Sequence, residues 1–234
     1  MPELANQPAH LKYPNIVLDG QNPLRVDRLV TPVDAFDAAP GIQRLMRDTY
    51  TQLFATGDSP LMQSEAINAQ FNPDDPQAIA EQAQRILDWT NGQQSQYWVA
   101  SIPREEESTL VGFAKVTPSR PRLFARGENI YLNDIAIQPE MQGRSVDLAL
   151  LRSIMRFGGY SESAYLVTDT FAQDVRFNQC LTEEFAMAKT GRTVMQKICG
   201  AEVAMHRVVT RRSTDIGRIA SRLERNHPEL VSLQ

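Results

Sequence analysis

The chain is poor in the residue types that build disulfide frameworks and metal sites. Its 234 residues include only two cysteines, Cys180 and Cys199, and three histidines. Two cysteines make no disulfide framework, and no spacing of cysteine and histidine suits a metal ion. The sequence therefore gives no indication of a metal-dependent or disulfide-stabilised protein.

Long hydrophobic runs are absent as well. No segment approaches the roughly 20 apolar residues needed to cross a bilayer, and residues 1–10 lack the apolar core of a signal peptide. With 42% hydrophobic side chains, the chain can still build one large domain or two small ones. We expect a cytoplasmic protein without a membrane anchor.

Basic residues are concentrated near the C-terminus of a chain whose net charge is −4. Residues 207–227 hold six arginines against two carboxylates, which gives this segment +4 and leaves about −8 for the rest. Such a stripe is either a solvated helix face or a docking surface for an acidic patch, which leaves a homodimer open. One basic segment in a chain with a pI near 5.5 argues against a nucleic-acid binder.

Hydrophobic periodicity predicts both strands and helices along the chain. Two helices follow the first strand, and a hairpin precedes a strand–helix–strand unit of the right-handed parallel type. Residues 173–188 are interpreted as an inserted packing helix rather than a lid over a substrate. The predicted strands cover residues 24–30, 97–102, 110–116, 129–137, 164–168 and, as an edge strand, 202–209. The predicted helices cover residues 40–55, 76–91, 145–157, 173–188 and 192–199, with a last helix capped by Ser213 or Thr214 and ended by Pro228.

The most informative stretch runs from Tyr131 to Leu151. It begins as a buried strand, passes through a turn that contains Gly143 and continues as an amphipathic helix. Such an arrangement directs main-chain N–H groups and the positive end of a helix dipole at the turn, where an anion can bind.

This stretch resembles motif A of the GNAT acyltransferase superfamily, and the order of elements over about residues 24–210 is similar to the GNAT topology. The resemblance implies an α+β fold with a central mixed sheet and helices on both faces. Residues 1–23, which are polar and rich in Pro and Asn, are expected to form a leader, and residues 211–234 a C-terminal helical extension. It also implies acetyl-CoA or another acyl-CoA as co-substrate, with its pyrophosphate held by the turn. The implied contacts are the main chains of Ile135 and Ile137 near the acyl group and, around the pyrophosphate, Gln142, Gly143, Arg144, Ser145, Val146 and Asp147.

Two positions depart from the family pattern, which is Gln or Arg, two variable residues, Gly, one variable residue, then Gly or Ala. Ser145 stands at the first glycine, and Asp147 stands at the Gly or Ala. A carboxylate about 5 Å from a diphosphate costs roughly 3 kcal/mol at an effective dielectric constant near 20. Alternatively, Ser145 caps the helix by accepting from the N–H of Asp147 or Leu148, which would leave no donor for a phosphate.

Asp134 is the best candidate for the general base, because a charge inside an otherwise apolar strand needs a reason. The alternative is an inter-strand hydrogen bond or a loop-facing edge. Cys180 is interpreted as a small buried hydrophobe rather than a nucleophile, since no base accompanies it.

In the family, a Tyr on the helix after the next strand protonates the leaving thiolate. The segment that is similar to that pattern is 194–202, where Met195 or Gln196 falls at the Tyr position. The acid is therefore missing or comes from elsewhere, with Tyr131, Tyr165 and Cys199 as the candidates.

These features predict an N-acyltransferase that moves an acyl group from acyl-CoA to an amine of a small molecule or a protein. The rival interpretation is a GNAT-fold protein that has lost turnover and serves as a binding or regulatory module. The acidic bias of residues 58–107, with nine Asp and Glu, two Arg and no Lys, hints at a cationic acceptor.

Overall fold

The protein is described by a computed structural model that covers residues 16–18, 22–55, 64–93, 95–103, 108–119, 129–161, 164–171, 174–198, 201–210 and 215–231. The strands are β1 (Ile16–Leu18), β2 (Asn22–Leu29), β3 (Gln96–Ile102), β4 (Thr109–Ser119), β5 (Asn129–Ile137), β6 (Tyr165–Phe171), β7 (Met187–Ile198) and β8 (Ala201–Thr210). The helices are α1 (Pro32–Ala55), α2 (Ser64–Gln70), α3 (Pro76–Gln93), α4 (Val146–Phe157), α5 (Val175–Glu183) and α6 (Ile216–Asn226). None of these helices is both long and apolar enough to span a bilayer.

The strands form one mixed sheet in the order β1-β2-β3-β4-β5-β6-β8-β7. Every neighbouring pair is antiparallel except β5 and β6, which are parallel and are connected through α4. The α+β fold with a central mixed sheet, predicted from the sequence, is confirmed.

Helices cover both faces of this sheet. On one face the main core joins α4 and α6 to the sheet, and its fully buried side chains include Trp98, Ile130, Leu150 and Leu223. On the other face α1 and α3 pack over Tyr97, Val99 and Phe113. The sheet therefore separates an α4 side from an α1/α3 side.

Helix α1 begins eight residues earlier than the predicted start at residue 40. The hydroxyl of Thr31 accepts from the N–H of Asp34 at 3.1 Å, and the carboxylate of Asp34 accepts from the N–H of Thr31 at 2.9 Å. This reciprocal cap fixes the helix start, and it leaves Pro40 inside the helix.

The segment predicted as a helix over residues 192–199 is wrong, because it belongs to strand β7. Residues 193–198 pair in register with β8 from Thr193↔His206 to Ile198↔Ala201. Strand β8 in turn pairs with β6, so the predicted edge strand at 202–209 lies inside the sheet and β7 forms the edge. Pairing across the hairpin decided the conformation of a segment whose spacing of apolar residues also fits a helix.

The last helix is capped by Asp215, whose carboxylate accepts from the N–H of Arg218 at 2.9 Å. The predicted caps Ser213 and Thr214 lie outside the described residues. The helix ends at Asn226, two residues before Pro228, as predicted. Of the predicted leader, residues 1–15 and 19–21 also lie outside the described residues, and residues 16–18 form β1.

Candidate active site

The parallel strands β5 and β6 stay paired over only four residues. Their register runs from Asn129↔Tyr165 to Leu132↔Thr168 and then stops, although both strands continue. At the point of separation the Thr168 hydroxyl donates to the Leu132 carbonyl at 2.9 Å. Beyond it, the facing edges of the two strands are free of each other, which opens the sheet at their carboxyl ends.

A β-bulge in β5 lies at this same point. Lys115 of β4 faces Asp134, whereas the next residue, Val116, faces Leu132, so Asn133 is the extra residue. A bulge leaves the extra residue outside the ladder and re-aims the side chains around it. Leu132 before the bulge and Ile135 after it both pack on the α4 side, which leaves Asp134 on the α1/α3 side with Lys115.

An open cleft fills the space between the separated strands. It encloses about 580 Å³, a volume that includes its mouth and the solvent open to it. Side chains from α1, β5, β6, α5, β7 and β8 line it. Met46, Tyr50, Phe171, Phe177 and Met205 supply apolar surface, and Asn133, Asp134, Asp169 and Asp174 supply polar groups.

Asp134 directly follows the bulge residue and lines the cleft. Burial raises the pKa of its carboxyl above the ordinary value, and the positive charge of Lys115 opposes that shift. Among the described residues no hydrogen bond to the Asp134 side chain is formed, so the inter-strand hydrogen bond considered as an alternative is absent. A part-buried carboxylate with a raised pKa that lines a cleft has the properties of a general base.

The turn before α4 has the backbone of an anion-binding loop. Gly143 and Ser145 adopt left-handed conformations, with φ of 79° and 59°, and Ser145 makes no side-chain cap. Self-capping by Ser145, the alternative that the sequence left open, is therefore not formed. In the described part of the chain, the N–H groups of Gly143, Ser145, Val146 and Asp147 have no acceptor.

Asp147 satisfies one donor of the first helical turn by itself. Its carboxylate accepts from the N–H of Leu148 at 2.9 Å and from the thiol of Cys180 on α5. Burial, together with the charge and hydrogen bond of Asp147, raises the pKa of the Cys180 thiol. A thiol with a raised pKa is protonated at neutral pH, which favours the interpretation of Cys180 as a packing residue over that of a nucleophile.

Two further side chains reach the turn from other elements. The guanidinium of Arg176, on α5, lies directly against Gly143, where any side chain at position 143 would meet it. Gln142 donates from its amide to Gln52 of α1 at 2.9 Å. Arg144 is exposed. Arg176 thus places a positive charge at the turn, and the sequence of the turn itself does not predict this contact.

Tyr131 belongs to a charged network on the α1/α3 side of the cleft. Its hydroxyl donates to Asp169, which also accepts two hydrogen bonds from Arg207, each 2.8 Å long. Burial and the Asp169 hydrogen bond raise the pKa of Tyr131 to about 12. Burial alone would raise the pKa of Asp169, but hydrogen bonds from Arg207 and Tyr131 hold it below its usual value.

The structure changes which residues are candidates for the acid that protonates the leaving thiolate. The helix after β6 is α5, with the sequence VRFNQCLTE and no tyrosine, so the match of residues 194–202 to a helical motif is wrong. Tyr165 pairs with Asn129 at the opposite end of β6 from the cleft. Cys199 lies outside the described residues.

Sequence reasoning missed three residues that contact this site: Lys115, Asp169 and Arg176. Asp169 and Lys115 are charged residues within strands, the same signal that singled out Asp134. No pattern in the sequence marks Arg176, because only the packing of α5 brings it to the turn.

Residues 62–173 match the family model described as the acetyltransferase (GNAT) family, a segment that includes β5, the turn, α4 and β6. A search of curated proteins finds no match.

Solved structures share the fold at low sequence identity. A ribosomal-protein-S5-alanine acetyltransferase from Vibrio fischeri superposes with a TM-score of 0.52 at 11% identity, over 80% of this chain and 92% of that one. A putative acetyltransferase from Acinetobacter baylyi gives 0.51 at 16% identity, over 81% and 93%. A GCN5-related N-acetyltransferase from Rhodopseudomonas palustris gives 0.50 at 14% identity, over 87% and 99%. Residues 62–173, which include the separated strands and the turn, thus match the acetyltransferase (GNAT) family model, and the fold is the one that these solved structures share.

Proposed function

We propose that the protein is an N-acyltransferase that moves an acetyl or other acyl group from acyl-CoA to an amine. The observation that carries the proposal is the separation of β5 from β6 beyond Leu132 and Thr168, which opens a cleft at the carboxyl ends of the two strands. A carboxylate with a raised pKa lines this cleft, and the turn that follows β5 carries main-chain donors without acceptors among the described residues. The match of residues 62–173 to the acetyltransferase (GNAT) family supports acyl transfer, and the amine acceptor is part of the proposal.

The residues around the turn fit a diphosphate. The N–H groups of residues 143, 145, 146 and 147 are without acceptors among the described residues, and a diphosphate would satisfy them. Arg176 would add a charge-assisted contact beside Gly143. Asp147 opposes this binding, so Arg176 offsets a charge that the family pattern does not contain.

The thioester would lie along the free edge of β5, near the main chains of Ile135 and Ile137. The amine would enter from the α1/α3 side, where Asp134 takes its proton directly or through a water molecule. The nitrogen then forms a bond to the acyl carbon as the carbon–sulfur bond breaks, and the thiolate leaves with the electron pair.

Tyr131 is the proposed acid for this thiolate. Because its pKa lies at about 12, the phenol is protonated at neutral pH. Its hydroxyl donates to Asp169, so donation to the leaving group requires the thiolate to replace Asp169 as acceptor.

The substitution Asp134→Asn tests the base. We expect a fall in kcat of about 100-fold or more, because the amide cannot accept a proton. We also expect a higher Tm near pH 8. The pKa of Asp134 is raised in the folded state, so its stabilising contribution is full below the unfolded pKa and is lost as pH rises through the folded pKa. The measurements are release of CoA thiol with a panel of amines and a thermal melt, with Asp88→Asn on the exposed face of α3 as the control.

A second function is favoured by Asp147 and by the absence of a tyrosine on α5. The protein would then bind the nucleotide without turnover, as a binding or regulatory module. Calorimetry with acetyl-CoA and CoA separates the two. Binding with no thiol release for any amine supports the module, whereas no binding of either ligand at saturation contradicts both.

A further inference from the structure

Lys115 is a buried cation that the proposed reaction does not use. Only 8% of its surface is exposed, and its ammonium nitrogen lies 3.5 Å from the centre of the Trp89 ring and 5.6 Å from that of Tyr97. Among the described residues it forms no salt bridge. A desolvated ammonium held by aromatic faces rather than by a carboxylate is costly to bury and needs an explanation.

The register of three strands provides an explanation for the burial of Lys115. Tyr97 of β3 faces Lys115 of β4, and Lys115 faces Asp134 of β5. Residues directly opposite in antiparallel strands have side chains on the same face, with Cβ atoms about 5 Å apart. The bulge at Asn133 is what creates this alignment, because it shifts Asp134 by one position relative to Leu132.

We propose that Lys115 is a positioning residue for the reaction. Its ammonium group is held against the Trp89 ring, and from there its charge sets the protonation state of Asp134. The proposal rests on the proposed function for the role of Asp134 as a base. The contact with Trp89 holds the Lys115 ammonium near the Asp134 carboxylate but outside ion-pair distance. Asp134 is therefore stabilised as an anion while remaining free to accept a proton from a substrate.

The pKa directions agree with this geometry. Burial lowers the pKa of Lys115, and Asp134 raises it again. Burial raises the pKa of Asp134, and Lys115 lowers it again. The charged and titratable groups around the pair are Tyr97 on β3, Arg85 on α3 and, across the cleft, Tyr50 on α1, Asp169 on β6 and Asp174 at the start of α5.

The test is an NMR titration of the Asp134 side-chain carboxyl in the free protein, assigned by its loss in Asp134→Asn. In Lys115→Met we expect its pKa to rise by about one pH unit or more, because a unit charge a few ångströms away is removed. Lys115→Arg keeps the charge, and the pKa should stay near that of the natural protein. An unchanged pKa in Lys115→Met overturns the proposal.

A reciprocal measurement covers the case in which Lys115→Met does not fold. Coupling acts equally on both groups, so Asp134→Asn should lower the pKa of Lys115, which is read from the side-chain resonances of labelled lysine. An unchanged lysine pKa contradicts the coupling. Both titrations are made without substrate, so they stand even if no amine is acylated.

Where activity is found, the pH profile of kcat/KM gives a second readout. Its acid limb should move to higher pH in Lys115→Met and return in Lys115→Arg. A purely structural lysine would lower Tm in Lys115→Met without moving that limb, and such a result overturns the proposal.

Discussion

The direction of the Asp147 side chain determines how strongly its charge would oppose the binding of a diphosphate. A carboxylate in the first turn of α4 lies where a diphosphate would bind, yet it is part-buried and accepts from the Leu148 N–H and the Cys180 thiol. These contacts hold the charge toward α5, and Arg176 on the same helix lies against the turn. We therefore expect a repulsion smaller than the roughly 3 kcal/mol of an unshielded pair about 5 Å apart.

The substitution Asp147→Asn isolates this charge, because the amide oxygen can still accept from Leu148. We expect CoA to bind about tenfold more tightly, which corresponds to about 1.4 kcal/mol, with a smaller gain at high salt. Isothermal titration calorimetry at two salt concentrations measures this effect, with Asp37→Asn on the exposed face of α1 as the control. Equal affinities would mean that the carboxylate does not face the ligand.

At the scale of elements, a glycine in β4 sets how closely α4 packs on the sheet. The helix packs on β4 at Gly112, where a Cβ atom would lie 2.9 Å from Ile137 Cδ1 and 2.9 Å from Val146 Cγ1. Both neighbours sit beside the turn, one at the end of β5 and one at the start of α4. The absence of a side chain at position 112 therefore sets how closely α4 approaches the sheet.

The substitution Gly112→Ala should push the start of α4 away from β4. We expect a loss of about 1–3 kcal/mol in the free energy of unfolding from overpacking, together with weaker CoA binding. Denaturant unfolding and calorimetry measure the two effects. Gly92→Ala in α3 is the matched control, because nothing lies within 4 Å of the added methyl group and alanine favours a helix by up to about 1 kcal/mol. A Gly112→Ala protein as stable as its parent would show that α4 has room to move.

At the scale of the whole molecule, α6 attaches the C-terminal segment to the core. Its apolar side chains Ile216, Ile219 and Leu223 are fully buried. Above them, Glu224 bridges Arg152 and Arg156 of α4 with hydrogen bonds of 2.7–3.0 Å. The predicted arginine stripe is thus only partly a solvated face, since Arg222 donates to the Glu184 carbonyl while Arg218 stays exposed.

The substitution Glu224→Gln should destabilise the protein in a pH-dependent way. Hydrogen bonds from Arg156 lead the causes that hold the pKa of Glu224 below its usual value. This stabilisation is present above the unfolded pKa and is lost as pH falls through the folded pKa. We expect a loss of about 1–3 kcal/mol near pH 7, because the buried charge of Arg152 is left beside a neutral amide instead of a carboxylate.

Urea unfolding from pH 7 downward follows the difference between Glu224→Gln and its parent, which should shrink as pH falls. A difference that is constant over the whole pH range would assign the loss to packing rather than to charge.

By itself, the sequence determined the local features: the strand at 129–137, the Gly-containing turn, the amphipathic helix after it and the resemblance to a family motif that this combination carries. These follow from periodicity and from residues such as Gly143 whose backbone needs are local. Tertiary structure alone decided that residues 187–198 form a strand, because that outcome depends on pairing with β8. It also decided what Asp134 and Asp147 contact, since a bulge at Asn133 brings Lys115 to one and the packing of α5 brings Cys180 to the other. Contacts between residues far apart in the chain depend on register and packing, which no local pattern encodes.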